Sequence, residues 1–365
     1  MEAPARLTEP TADITDEAVA VDNAQLMSTA KPPPMPPPPL ADAPPIPLPA
    51  SVPAPHFLED CVRWTPPGCP WSLQGHSIAG ERTGFWMPEA KIGFDAGLPT
   101  DKRISCVFIT HSHSDHTFYV PWTGAMNGKV GLVVPAPMEM PLRHLCRASI
   151  SLNYGVWPPL ERDLLNIRAV VHGDVIDVVN EGGHKTNIRV RVVDCTHGVP
   201  CVGYIVCTAT SRLREEYRAL AGKEIAELRR RGEAVMEDVV TPRLAFLGDT
   251  TVDVFADDCA SAADILRCPV VVVECTLLGT TPADGATARE RGHTSWGDLQ
   301  PVVRAHPGTT FVLIHFSQVL LVCQHALSAS ALSAGRSHRL SRAHRLATVT
   351  TQMRLLLMSV LLFPM

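Results

Sequence analysis

The run His111-Ser112-His113-Ser114-Asp115-His116 places three imidazoles and a carboxylate within six residues. A neutral imidazole offers a ring nitrogen to a transition metal, and a carboxylate offers a hard oxygen. Burying four such groups together without a cation carries a large desolvation cost. In an extended loop, His111 and His113 project to one side, and Asp115 and His116 turn toward a second ion. His197, Asp249 and His315 share the same local grammar, each just beyond a β-prone run. The seven side chains suit two zinc ions joined by a bridging carboxylate and a bridging water. Such a pair acidifies water and offsets charge on a substrate oxygen. Histidine and carboxylate also accept Mn2+ or Fe2+.

These residues need strands that end together. Ile104–Thr110, sequence ISCVFIT, is a compact β-prone run that feeds the histidine loop. Val190–Asp194 leads to His197, Leu244–Leu247 to Asp249, and Phe311–Ile314 to His315. Gly84–Pro88 and Lys91–Asp95 suggest a hairpin, and Gly131–Val134 and Pro269–Val273 read as further strands. Helices are expected over Met138–Ser149, Cys259–Arg267 and Ser295–Arg304, with a polar helical stretch over Arg212–Arg231 broken near Ala221-Gly222. Repeated strand, loop and helix units favour an α/β architecture.

The chain of 365 residues fits one large α/β domain with tails. Residues 1–56 are expected to be a disordered, proline-rich segment, because proline removes donors and favours extended backbone. The catalytic domain is expected over 57–317, with an inserted arm at about 212–240. The stretch 318–365 has no acid and reads as a divergent basic and apolar tail. A net charge of -5 argues against non-specific coating of nucleic acid. Eleven scattered cysteines without a CxxC pair suit a reducing compartment, cytoplasmic or nuclear, with an organellar address left open. No apolar run is long enough for a transmembrane span.

The HxHxDH motif resembles that of the metallo-β-lactamase superfamily. Between about Gly75 and Phe316 the chain is similar to the short form of the ribonuclease Z family, the tRNA 3′-processing endonucleases. The similarity runs through His197-Gly198-Val199-Pro200, Arg214-Glu215-Glu216-Tyr217, Phe246-Leu247-Gly248-Asp249-Thr250, Glu274-Cys275-Thr276, Gly292-His293 and Leu313-Ile314-His315-Phe316-Ser317. It implies an αββα sandwich with an inserted helical arm. It further implies a first zinc on His111, His113 and His197, a second on Asp115, His116 and His315, and Asp249 between them. Glu274 and His293 match the family's Glu–His pair, with His293 protonating the leaving oxygen and Glu274 orienting it. Asp115 would accept a hydrogen bond from the attacking water. Precursor tRNA is the implied substrate and a homodimer the implied assembly.

On this reading Arg212, Arg214, Arg218, Lys223, Arg229, Arg230 and Arg231 of the arm contact RNA phosphates; the segment 212–231 carries +3 from seven cations and four glutamates. The chain departs from the family at Thr117-Phe118, where bulk is expected to reshape the metal loop, and again after Ser317. Another binuclear phosphodiesterase, a small-molecule hydrolase, or a catalytically weakened RNA-binding relative would fit the same ligands.

Overall fold

The computed structural model describes residues 61–100, 103–127, 130–155, 166–180 and 182–317. The expected proline-rich segment, the start of order near Phe57 and the basic tail lie outside these residues. Two sheets are stacked face to face. The first holds seven strands in chain order: β1 (Val62–Trp64), β2 (Leu73–Ile78), β3 (Arg82–Met87), β4 (Ile92–Phe94), β5 (Cys106–Phe108), β6 (Gly131–Pro135) and β7 (Asn166–Val170). The second holds six: β8 (Val175–Val179), β9 (Lys185–Asp194), β10 (Val202–Leu213), β11 (Met236–Phe246), β12 (Val270–Glu274) and β13 (Thr310–Ile314). Both begin as an antiparallel meander and continue parallel, from β4 onward in one and from β11 onward in the other.

Alternation sorts the side chains into layers. In β12, Val270 and Val272 enter the core between the sheets, while Val271 and Val273 face the outer layer. A continuous β-branched run is what a strand buried on both faces requires. Phe85, Phe94, Phe108, Tyr204 and Phe246 fill the central layer, with Phe94 stacked on Phe246 at a centroid distance of 4.5 Å. Beyond the first sheet, Val107, Ile109, Leu132 and Val134 meet Leu142 and Cys146 of the helix Glu139–Tyr154. Beyond the second, Ile205, Ala245 and Val273 meet Ile265 and Leu299 of the helices Ala262–Leu266 and Trp296–Ala305. The Tyr204 hydroxyl crosses between the sheets and donates to the Ile109 carbonyl at 2.6 Å. The result is the αββα sandwich, with the metal-ligand candidates gathered where β5, β9, β11 and β13 end.

One sequence expectation needs correction. The stretch 212–231 is not one broken helix: Arg212 and Leu213 finish β10, a 3-10 turn covers Glu215–Tyr217, and the helix is Gly222–Arg230. Polar residues on a two-stranded ribbon with both faces exposed lack the apolar alternation that marks a strand. Thr117 and Phe118 take different places beside the metal loop. Thr117 is buried and its hydroxyl donates to the His113 carbonyl at 2.9 Å, bracing the loop, while Phe118 points outward.

Candidate metal centre

β5 delivers His111 and His113, and the short helix Ser114–Thr117 turns Asp115 and His116 inward. Asp249 arrives through Gly248, whose φ is 63°; a Cβ there would lie 2.7 Å from the Thr110 hydroxyl. His315 follows β13 with φ at 62°, a strained left-handed conformation for histidine.

The seven side chains converge in two groups. His113 Nδ1 lies 3.1 Å from both His111 Nε2 and His197 Nε2, and these last two are 3.8 and 4.0 Å from Asp249 Oδ2. In the second group, His315 Nε2 lies 3.4 Å from His116 Nε2 and 3.2 Å from Asp115 Oδ2. Asp249 faces it too, with Oδ1 3.5 Å from His116 Nε2 and Oδ2 3.3 Å from His315 Nε2. Atoms bound to one tetrahedral ion at about 2.0–2.1 Å stand roughly 3.3 Å apart, close to these separations. Asp249 Oδ1 is buried with no hydrogen-bond partner, a loss that a cation would compensate. The donor set and geometry therefore fit a binuclear metal site.

A second layer fixes the rings. The outward nitrogens of His111, His116, His197 and His315 meet Thr110 Oγ1 at 3.1 Å, Asp95 Oδ2 at 2.9 Å, the Gly292 carbonyl at 2.7 Å and Thr276 Oγ1 at 3.1 Å. Such contacts choose the tautomer that aims the other nitrogen inward. Burial and the neighbouring His116 hold His111 well below the ordinary histidine pKa, and burial with His197 lowers His113. Both therefore stay neutral with a free lone pair. Burial opposes charge on His116, yet the Asp249 and Asp95 carboxylates raise it well above the usual value. Burial likewise opposes charge on Asp249, but His116 and His315 hold its carboxyl well below the usual range. A proton on His116 in the cation-free protein is one that metal binding would release.

Glu274 ends β12 wholly buried. It accepts from the backbone of Thr250 at 3.0 Å, from the backbones of Thr276 and Thr294 at 3.2 Å, and from the Thr276 hydroxyl. His293 Nδ1 donates to Glu274 Oε1 at 2.7 Å, and the His293 ring stacks beside His315 at 5.5 Å. Burial disfavours its charge, but the Glu274 hydrogen bond and carboxylate outweigh that and raise its pKa. His293 also stands close enough to Asp249 and His315 to join a ligand group, but its Nδ1 is committed to Glu274.

The seven arm cations stand apart from this centre on the exposed ribbon and its helix. Arg212 pairs with Glu237 at 2.7 Å, Arg214 with Glu216 at 3.6 Å and Arg218 with Glu215. Lys223, Arg229, Arg230 and Arg231 are exposed with no carboxylate at ion-pair distance among the described residues. Sequence reasoning missed Asp95, buried with φ at 58°, which accepts from Thr110 N at 2.8 Å and orients His116. It missed Thr276 as well. A carboxylate closing the KIGFD strand was the available signal for Asp95; for Thr276 it was the Glu274-Cys275-Thr276 stretch, which carries the resemblance without naming a role for the threonine.

No family model matches the chain. tRNase Z TRZ1 of Arabidopsis thaliana is 28% identical over 254 residues, covering 68% of this chain and 85% of that protein. The crystal structure of human tRNase Z, short form, aligns at 16% identity with a TM-score of 0.41, covering 67% of this chain and 92% of the other. The metallo-beta-lactamase fold protein YhfI from Bacillus subtilis aligns at 9% identity with a TM-score of 0.41, covering 66% and 84%.

Proposed function

We propose that this chain is a zinc-dependent endonuclease that removes the 3′ trailer of precursor tRNA. The paired His/Asp clusters and the similarity to tRNase Z support the coarser reading, a metal-dependent phosphodiesterase. The observation that carries it is Asp249: a buried carboxylate facing both ligand groups, one oxygen without a hydrogen-bond partner.

In this reading His111, His113 and His197 hold one zinc, Asp115, His116 and His315 the other, with Asp249 between them. Bound there, the cations supply acidified water and positive charge opposite the phosphate oxygens. The chain's own residues do the rest. Asp115 Oδ2 is anchored by the Gly80 N–H at 2.9 Å, which fixes the carboxylate that accepts a hydrogen bond from the attacking water. Glu274 anchors His293 through Nδ1 and favours its charged form, the form whose Nε2 can protonate the departing oxygen. The arm cations would meet RNA phosphates well away from the cut. A homodimer in the cytoplasm or nucleus completes the proposal; among the described residues no helix is long and apolar enough to cross a membrane.

Mapping the product ends of a trailer-bearing precursor tRNA tests the reading. A single cut leaving a 3′ hydroxyl on the tRNA body supports it. Cleavage of a small diester without any cut in the precursor leaves only the coarser activity. RNA binding without hydrolysis of either substrate would mark a weakened relative.

A further inference from the structure

The loop that carries His197 opens and closes on a cysteine. β9 and β10 pair antiparallel up to Asp194 opposite Val202. One step further along that register sets Cys195 opposite Cys201, at the base of the loop 196–200. Directly opposed side chains share one face of a hairpin, and the partners of the two sulfurs show which face. Cys195 Sγ donates to the Leu247 carbonyl at 3.5 Å, and Cys201 Sγ to the Asp249 carbonyl at 3.6 Å. Gly203 leaves room beside them: a Cβ there would lie 3.0 Å from Cys195 Sγ. The thiols also meet each other, since hydrogen bonding with Cys195 is the foremost cause that raises the Cys201 thiol, ahead of burial.

Opposed residues hold their Cβ atoms about 4.5–5.5 Å apart, and a disulfide asks for about 3.5–4.5 Å. A slight inward shift of the loop's two ends therefore closes the bond. Both thiols are partly exposed, and with His197 and Pro200 they line a cavity of about 490 Å³. A small oxidant reaches them there, whereas Cys207 further along β10 is buried. The loop is also tied to its neighbour: the Thr196 N–H donates to Thr250 Oγ1 at 3.0 Å, and the Thr251 N–H to the Thr196 carbonyl at 2.9 Å. Any shift of the two cysteines is thus passed to His197 inside the loop and to Asp249 beside it.

We infer that Cys195 and Cys201 are a peroxide-oxidisable pair whose disulfide loosens the metal centre. The inference rests on the reading of His197 and Asp249 as metal ligands. One sulfur attacks hydrogen peroxide, the O–O bond breaks, and a sulfenic acid and one water result. The second sulfur displaces the sulfenic hydroxyl as a second water and forms the S–S bond. Two electrons pass from the thiols to the peroxide, and each thiol proton leaves in a water. The product has no S–H, so the Leu247 and Asp249 carbonyls lose their thiol donors as the loop ends draw together. Loss of such outer contacts weakens a metal site by about 10- to 100-fold, and a thiol reductant reverses the bond.

The test reads the bond and the metal separately. The full chain, loaded with zinc, is treated with hydrogen peroxide or left alone, then alkylated and cut with trypsin. Peptide 192–212 holds Cys195, Cys201 and Cys207. After peroxide it should carry one alkyl group, on Cys207, and lack the two thiol hydrogens of the linked pair. Zinc affinity, measured by competition with a chelator, should fall by about 10- to 100-fold and return with dithiothreitol. Cys195→Ser and Cys201→Ser are each compared with and without peroxide, and neither should respond. Three alkylated thiols, a sulfinic acid in place of the link, or a link that leaves zinc affinity unchanged would overturn the inference. So would a full peroxide response in Cys201→Ser, since the target would then lie elsewhere. A reduced protein that takes up no zinc strikes the metal-centre reading instead, and the peptide still decides the bond.

Discussion

The metal centre and the arm are both built from charged and polar residues, yet they are opposite kinds of structure. At the centre, the outward nitrogens of His111, His116, His197 and His315 each have a partner, and three of those partners are themselves held: Thr110 and Asp95 by each other, and Thr276 by Glu274. On the arm, three arginines pair with nearby glutamates in solvent, and four cations have no carboxylate partner among the described residues. Buried polar groups are costly when one partner is removed, whereas exposed ion pairs are worth about 0–1 kcal/mol. The centre should therefore behave as a unit, and the arm as a sum of small, exchangeable contributions.

The sharpest way to break that contrast is Asp249→Ala. It removes the carboxylate shared by both ligand groups, so metal content and diester hydrolysis should fall together, the latter by more than about a thousandfold. Metal analysis beside a rate on a small diester checks this; retained activity would show that the groups are independent. Next in size, His293→Ala should lower kcat by roughly 10²–10⁴ while the bound metal stays in place. Loss of metal in that variant would make His293 a ligand rather than the acid. Asp95→Asn touches no candidate ligand atom yet should weaken metal affinity by about 10- to 100-fold, read by competition with a chelator.

The smallest effects belong to the arm. Replacing Arg229, Arg230 or Arg231 singly by Ala should weaken precursor-tRNA binding and reduce its log–log salt slope by about one, with small-diester turnover intact. Arg212→Ala should do less, because Glu237 already occupies that guanidinium. If Arg212 proved the strongest of the four, its bridge would have to open on binding, and the contrast between fixed and exchangeable charge would blur.

What could be read from the sequence follows the same divide. The histidine run after ISCVFIT stands out because so many ligating groups at a strand end make no sense without a cation. VVVV in β12 and FVLI in β13 betray buried strands by composition alone. Asp95 and Thr276 stayed hidden because their importance lies in which distant ring they touch: His116 is 21 positions from Asp95, and His315 is 39 from Thr276. The ribbon of the arm hid for another reason. Its ladder pairs Arg212 with Glu237 and Thr210 with Val239, a match spelled out only when both strands are seen together.

The provenance of the ligands carries one more consequence. Four arrive from the half of the chain that forms the first sheet and three from the half that forms the second. A cation pair seated there rivets two leaves that otherwise adhere through side-chain packing and a few cross-links such as the Tyr204 hydroxyl. Ions that bind only the closed book add their binding energy to its closure. Withdrawing them should therefore loosen the seam between the two leaves at the same moment as it stops hydrolysis, so starvation for metal registers in the protein's stability as well as in its rate.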